Sequence, residues 1–288
     1  MARSNRREYR DIDGVLILDK PIGLSSNQAL QQVRHLYRAR KAGHCGSLDP
    51  LATGVLPICL GQATKFSSYL LGASKTYRAS CRLGQTTTTG DAEGEVIETR
   101  PVSIEQRRVL QVLERFVGEI DQGPPMYSAL KHEGKRLYQL AREGKQVERR
   151  ARRVKIFELE LLSCEDDSLE IEVCCSKGTY IRTLAEDIGN ALGCGAHLSA
   201  LRRCAVETLH QRDAVTLDRL RQLAEQGTAQ LDKLLLPVTA ALGQFAELQL
   251  DVRQSLDISQ GKRVKLAQDV TPGMYRLISG DGIFIGLG

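Results

Sequence analysis

The sequence has no apolar run that approaches the roughly 20 residues needed to cross a bilayer, which excludes a membrane-spanning helix. Its first ten residues are polar and basic, with no apolar stretch behind them, unlike a secretory signal peptide. We therefore expect a cytoplasmic protein that does not associate with membranes.

Cysteines spaced as in metal sites are also missing. None of the eight cysteines forms a Cys-x-x-Cys pair, and no histidine lies at a zinc-ligand spacing from two of them. Cysteines scattered in this way are typical of reduced, buried thiols rather than of a disulfide framework. We expect no metal site.

The length and composition are those of an ordinary globular protein. The 288 residues suit one large domain, or one large and one small, since a typical domain holds roughly 100–200 residues. Hydrophobic residues make up 42% of the chain and charged residues 26%, so a sizeable core can form.

Positive charge is concentrated in one segment. Between residues 131 and 155, ten lysines and arginines face three glutamates, an excess of seven positive charges. The whole chain carries a net charge of +5, so the remainder is negative by two. Such a segment is typical of a phosphate-binding surface, although a solvated charged helix has the same pattern.

Apolar periodicity divides the chain into helices and strands. It predicts strands at residues 14–19, 77–83, 95–98, 156–162 and 169–175. It predicts helices from Ser25 or Ser26, from a capping box at residues 103–106, around residues 137–141, at 179–192 and at 217–226. Residues 43–61 have no clean period, and we predict a loop there. The order of elements favours an α+β fold, with a mixed or antiparallel central sheet flanked by helices.

The texture changes near the C-terminus. Short strands joined by glycine-rich turns are predicted at residues 247–250, 263–266, 275–279 and 283–286. We therefore divide the chain into a domain at residues 10–249 and a small β-rich module at 250–288. The module ends directly after a strand, and we expect it to be cut short.

One acidic residue, Asp49, lies in a glycine-punctuated and largely apolar segment at residues 43–54 with no neighbouring acid. An ionised carboxylate there costs several kcal/mol unless it is paired, which points to a functional group. The alternative is an Asx-turn, because Asp before Pro is common in turns.

Arg182 falls in the first turn of the helix predicted at residues 179–192. The helix dipole disfavours a cation there by about 0.3–1 kcal/mol, so another group should hold the side chain. A buried carboxylate matches the guanidinium fork, although an ordinary surface arginine is an equally open interpretation.

These segments belong to one ordered set of motifs. The set comprises Lys20-Pro-x-Gly-x-Ser-Ser26, Gly43-His44-x-Gly46-x-Leu48-Asp49-Pro50-x-Ala52-x-Gly54-x-Leu56-Pro57, Lys75-Thr76-Tyr77, Lys177-Gly178-Thr179-Tyr180-Ile181-Arg182 and Leu201-Arg202-Arg203. Across residues 12–240 it resembles the TruB family of pseudouridine synthases, bacterial enzymes that modify uridine 55 in the T-arm of tRNA. The resemblance implies the pseudouridine synthase fold and a C-terminal PUA-like RNA-binding module. Nothing in the sequence suggests more than a monomer, which we expect. It implies tRNA as the partner, no obligatory protein partner and no cofactor.

The resemblance also implies roles for individual residues. Asp49 is the expected catalytic carboxylate, and Arg182 its partner. The expected substrate-binding residues are His44, Tyr77, Tyr180, Arg182 and Leu201, with Lys20 supporting the loop. Tyr77 and Leu201 would hold the target base, and His44 would stack in the space that the flipped-out base leaves. Residues 125–153 would clamp the RNA helix, with backbone contacts from Lys131, Arg142, Arg149, Arg150, Arg152 and Arg153.

Two other functions fit parts of the sequence. A non-catalytic RNA-binding factor would need only the basic segment. An Asp-dependent nucleosidase or glycosidase would usually need a second carboxylate, and none is visible beside Asp49.

Overall fold

The computed structural model of the protein describes residues 9–128, 130–266 and 270–288. The α-helices of these residues are α1 Ser26–Tyr37, α2 Ser67–Gly72, α3 Gln106–Glu114, α4 Leu137–Arg142, α5 Ile181–Leu192, α6 Leu217–Glu225, α7 Thr228–Asp232 and α8 Val252–Ser259. Short 3₁₀ helices lie at Gly61–Phe66, Gln211–Asp213 and Val238–Leu242.

The strands are numbered in chain order. They are β1 Gly14–Lys20, β2 Ala42–His44, β3 Ala52–Leu60, β4 Lys75–Leu83, β5 Gln85–Thr87, β6 Val96–Thr99, β7 Gly118–Gln122, β8 Lys131–His132, β9 Lys135–Arg136, β10 Arg152–Glu165, β11 Ser168–Cys175, β12 Ala196–Val206, β13 Leu209–His210, β14 Val215–Thr216, β15 Glu247–Leu250, β16 Arg276–Ser279 and β17 Phe284–Leu287.

A ten-stranded mixed sheet forms the body of the protein. Its main path is β14-β1-β3-β12-β4-β11-β10-β7, and β2 and β13 add to β3 and β12. The pairs β1–β14 and β3–β12 are parallel, and the other pairs along the path are antiparallel. Helices pack against this sheet, so the α+β class with a mixed central sheet is confirmed.

The predicted loop at residues 43–61 is wrong for most of its length. Residues 52–60 form β3, which is buried at nearly every position and pairs with β1 and β12. A strand covered on both faces has no polar side to alternate with, so its periodicity disappears. β12, an 11-residue central strand, was not predicted at all.

The capping box predicted at residues 103–106 is also wrong. α3 begins at Gln106, with Glu105 as an N-cap residue that makes no side-chain hydrogen bond. By contrast, α1 has a complete capping box, because the Ser25 hydroxyl accepts from the Gln28 amide and the Gln28 side chain returns to the Ser25 amide. Sequence alone does not show which Ser-x-x-Gln pattern closes on itself.

The C-terminal residues form a separate three-stranded sheet, in the order β15-β16-β17. β15 pairs in parallel with β16, and β16 pairs antiparallel with β17. The strand predicted at residues 263–266 is absent, and α8 lies in a region where no helix was predicted.

Two clusters of buried apolar side chains stabilise the body of the protein, one on each face of the central sheet. All eight cysteines are free, and five of them are buried, as predicted. Among the described residues, no helix is long and apolar enough to span a membrane.

Candidate active site

Asp49 lies in the connection between β2 and β3, where two local interactions fix the backbone. The Ser26 hydroxyl, in the first turn of α1, donates to the Leu48 carbonyl at 3.1 Å and accepts from the Leu48 amide at 2.7 Å. The Asp49 carbonyl accepts from the Ala52 amide at 3.0 Å. The start of α1 therefore positions the residue that precedes the carboxylate.

Lys20 supports the same loop through the turn at residues 21–24. Its side chain is fully buried and donates to the carbonyls of Pro21 at 2.8 Å and Leu24 at 2.6 Å. The Gly23 amide of this turn donates to the Pro50 carbonyl at 2.8 Å. Burial lowers the pKa of Lys20 to about 8, and the nearby Asp49 charge opposes the shift. Lys20 thus braces the turn that holds the residue after Asp49.

Arg182 joins the site from the first turn of α5. One nitrogen, Nη2, lies 2.9 Å from the Asp49 carboxylate and donates to the Tyr127 carbonyl at 2.7 Å. The other, Nη1, donates to the Thr89 carbonyl at 3.1 Å and lies 3.4 Å from the Asp91 carboxylate. These acceptors offset the unfavourable helix dipole, and the predicted pairing of Arg182 with Asp49 is present.

The two carboxylates around Arg182 differ in exposure. The Asp49 side chain is 52% exposed, so it meets solvent although its segment is largely apolar. Asp91 is 3% exposed and also accepts from the Thr89 hydroxyl at 2.5 Å and the Glu93 amide at 3.1 Å. Asp49 can therefore reach a substrate, whereas Asp91 serves to hold the arginine.

A cavity of about 310 Å³ opens over Asp49 and Arg182. Its walls include the side chains of Tyr77, Tyr180 and Leu201, all predicted site residues. Leu201 is opposite Ala52 on β3 and Ala79 on β4, which places it at the centre of the sheet. Four of the chain's motifs thus meet around one cleft of the size expected for a small ligand.

Tyr77 and Arg203 are cross-strand neighbours on β4 and β12. Burial raises the pKa of Tyr77, and the Arg203 charge opposes the shift, so the phenol is neutral at physiological pH. Arg203 is 1% exposed and donates to the carbonyls of Val55 at 2.7 Å and Gly46 at 3.0 Å. Arg203 therefore ties the Asp49 loop to the sheet, a role that the sequence analysis did not assign.

Tyr180 is the N-cap residue of α5. Its amide donates to the Gln122 side-chain oxygen at 2.7 Å, and its carbonyl accepts from the Gln122 side-chain nitrogen at 3.1 Å. This pair of hydrogen bonds to β7 fixes the backbone that carries the phenol ring at the cavity wall.

His44 is the one predicted substrate-binding residue that does not line this cavity. It lies on β2 opposite Ile58, and its Nδ1 is buried without a hydrogen-bond partner among the described residues. Burial and the Arg203 charge lower the pKa of His44, so the ring is neutral at physiological pH.

The basic segment forms a second cavity, of about 360 Å³. Its lining includes four of the predicted RNA contacts, Lys131, Arg149, Arg150 and Arg152. Arg153 instead lies 3.7 Å from both Glu119 and Asp121 on β7. The Arg142 side chain lies outside what the structure describes.

Three family descriptions match consecutive parts of the chain. Residues 34–181 match the family "TruB family pseudouridylate synthase (N terminal domain)". Residues 182–243 match "tRNA pseudouridylate synthase B C-terminal domain", and residues 246–288 match "Pseudouridine synthase II TruB, C-terminal".

Similar curated proteins carry the name tRNA pseudouridine synthase B. The one from Methylobacillus flagellatus is 53% identical over 98% of this chain and 93% of its own length. The one from Nitrosococcus oceani is 51% identical over 100% of this chain and 94% of its own length.

Solved structures share the fold at lower identity. A Cbf5-Nop10-Gar1 complex contains a chain with a TM-score of 0.73 and 28% identity, covering 96% of this chain and 77% of that one. An H/ACA RNP bound to a substrate RNA containing 2'-deoxyuridine gives a TM-score of 0.72 and 26% identity over the same shares.

Proposed function

The chain belongs to the TruB family of pseudouridine synthases, and on that premise we propose that it converts uridine 55 in the T-arm of tRNA to pseudouridine. It would act in the cytoplasm as a monomer, without a partner protein. The reaction is an isomerisation with no redox change, so it requires no cofactor.

The ion pair between Asp49 and Arg182, at the floor of a cavity walled by Tyr77 and Leu201, supports this proposal most strongly. Asp49 acts as the nucleophile and forms a transient covalent bond to the nucleotide, while the N1–C1′ bond breaks and leaves its electron pair on the uracil. The uracil then rotates and C5 bonds to C1′. The bond to Asp49 breaks again and regenerates the carboxylate, a proton leaves C5 and N1 gains one. Arg182 orients the carboxylate, and Tyr77 stacks on the base.

The target base must leave its stack to reach this cavity, which costs a few kcal/mol. In our proposal the neutral His44 ring stacks in the space left behind. The basic segment binds phosphates and 2′-hydroxyls of the RNA helix, since such helices are read largely by shape.

Mapping pseudouridine in tRNA after incubation with the protein tests the function. We expect one modified position, in the T-arm, and an unchanged RNA mass. Release of free uracil would instead support a hydrolase, although Asp91 does not line the cavity and cannot serve as its second carboxylate. Tight tRNA binding without modification would support an RNA-binding factor.

The basic segment gives a separate prediction. Changing Arg149, Arg150 and Arg152 to Gln should weaken tRNA binding and lower its salt slope by about 0.7–0.9 for each phosphate that is no longer neutralised. Arg108→Gln is the control, because Arg108 is exposed on α3 outside the basic segment. An unaltered salt slope in the triple variant would remove the RNA clamp from the proposal.

A further inference from the structure

Ser128 lies three residues before the basic segment and lines the Asp49 cavity. Its side chain is 5% exposed, and its hydroxyl oxygen has no hydrogen-bond partner among the described residues. The Tyr180 phenol is close enough to interact with it, but the two hydroxyls do not reach hydrogen-bond geometry. A buried polar group left unpaired costs about 1–3 kcal/mol, so a ligand that forms a hydrogen bond with the Ser128 hydroxyl is favoured.

The N-terminus of α5 opens into the same cavity. α5 is 12 residues long, and its N-cap residue, Tyr180, makes no side-chain hydrogen bond to the first turn. The first amides of a helix carry a partial positive charge and have no partner within the helix. An uncapped helix start of this kind binds anions, phosphate above all.

Basic residues outnumber the one acidic residue, Asp49, in the lining of this cavity. Lys177 is exposed and lines the cavity three residues before Tyr180. Arg152, which lines the cavity of the basic segment, lies near enough to interact with the Tyr180 phenol. The Arg152 charge therefore acts on Tyr180, which lines the Asp49 cavity.

We propose that Ser128 and the first turn of α5 form a phosphate-binding site that holds the RNA backbone beside the target uridine. The site rests on the proposed function. The Ser128 hydroxyl donates to one phosphate oxygen, and the amides at the start of α5 together with Lys177 neutralise its charge.

Such a site couples RNA binding to the catalytic pair. Ser128 directly follows Tyr127, whose carbonyl accepts from Arg182 at 2.7 Å. The same nitrogen of Arg182 lies 2.9 Å from Asp49. A phosphate bound at Ser128 thus fixes the carbonyl that orients Arg182, so Ser128 acts as a positioning residue as well as a binding residue.

A cycle of one protein change and one RNA change tests the site. The protein change is Ser128→Ala, and the RNA change replaces the phosphate on the 5′ or the 3′ side of the target uridine with an uncharged methylphosphonate in a T-arm stem-loop. We expect either change alone to weaken binding or single-turnover rate by about tenfold or more, as for a hydrogen bond to a charged group. At one of the two phosphates, the protein change and the RNA change together should reduce binding or rate little more than either change alone.

The controls separate this effect from misfolding. Removing an unpaired buried hydroxyl should leave the melting temperature unchanged or raise it. Ser128→Thr keeps the hydroxyl and should retain most of the affinity. Ser168→Ala, at the exposed far end of β11, should behave like the wild type.

Fully additive losses at both phosphates, or a Ser128→Ala variant equal to the wild type, would overturn the phosphate site and leave the proposed function intact. If the wild type bound the stem-loop but made no pseudouridine, the proposed function would fail, while the binding cycle would still decide on the site.

Discussion

Arg182 pairs with two carboxylates of opposite character, which predicts opposite consequences for stability and for activity. Asp91 is 3% exposed and Asp49 is 52% exposed. Arg182→Met leaves Asp91 as an uncompensated buried charge, and breaking a buried pair in this way costs about 3–5 kcal/mol. Asp49→Asn removes one partner of a half-exposed pair and should cost within about 1 kcal/mol.

Urea unfolding of the single and double variants measures these differences. Adding Asp91→Asn to Arg182→Met removes the unpaired charge and should restore stability by more than about 1 kcal/mol. Adding Asp49→Asn to Arg182→Met instead should restore almost none of the lost stability. Turnover should respond differently from stability, because Asp49→Asn abolishes turnover and leaves the protein folded. An Asp49→Asn variant as unstable as Arg182→Met would refute this division of roles.

Three further predictions follow from the contacts around the cavity. The family resemblance also implies that the Tyr77 phenol moves the C5 proton, so Tyr77→Phe should keep tRNA binding but slow single-turnover conversion by about 10²–10⁴-fold. A wild-type rate would contradict the proton transfer and leave Tyr77 only a stacking role. The folded protein releases the Lys20 proton near pH 8, whereas the unfolded chain keeps it to about pH 10.5, so the free energy of unfolding rises with pH between these values. Lys20→Met should remove this part of the rise, which urea unfolding at several pH values measures. Gly54 has a φ of +98°, and a Cβ there would lie 2.3 Å from the Arg203 carbonyl oxygen. Gly54→Ala should therefore lower the free energy of unfolding by more than ~1 kcal/mol, which thermal unfolding measures.

The sequence predicted best those elements that have one buried and one exposed side. β4 and β11 alternate buried and exposed residues, and both were predicted within two residues of their observed bounds. α5 ends at Gly193, whose positive φ of 90° closes the helix, as the glycine predicted. Local patterns were enough where one face meets water.

The central strands were missed because they lack that contrast. β3 has eight of nine positions buried, and its glycine and proline resemble a loop when read alone. β12 carries two arginines in its middle, Arg202 paired with Asp19 and Arg203 buried against backbone carbonyls. Their partners lie about 150 or more residues away in the chain, so local sequence could not reveal a strand.

The residues of the site also divide into those that the sequence predicted and those that it missed. Asp49, Tyr77, Tyr180, Arg182 and Leu201 converge on one cavity, as the motifs implied. Asp91 escaped notice because it lies in a threonine- and glycine-rich turn that gives no sign of burial. Its role depends on the long-range approach of α5, which only the folded chain shows.

The most direct test of Asp49 is single-turnover release of tritium from C5-labelled uridine in tRNA, measured with excess enzyme. We predict that the wild type releases the label, while Asp49→Asn releases none and still binds tRNA within about tenfold, or ~1.4 kcal/mol, of the wild type. Release by the Asn variant would show that another group performs the chemistry.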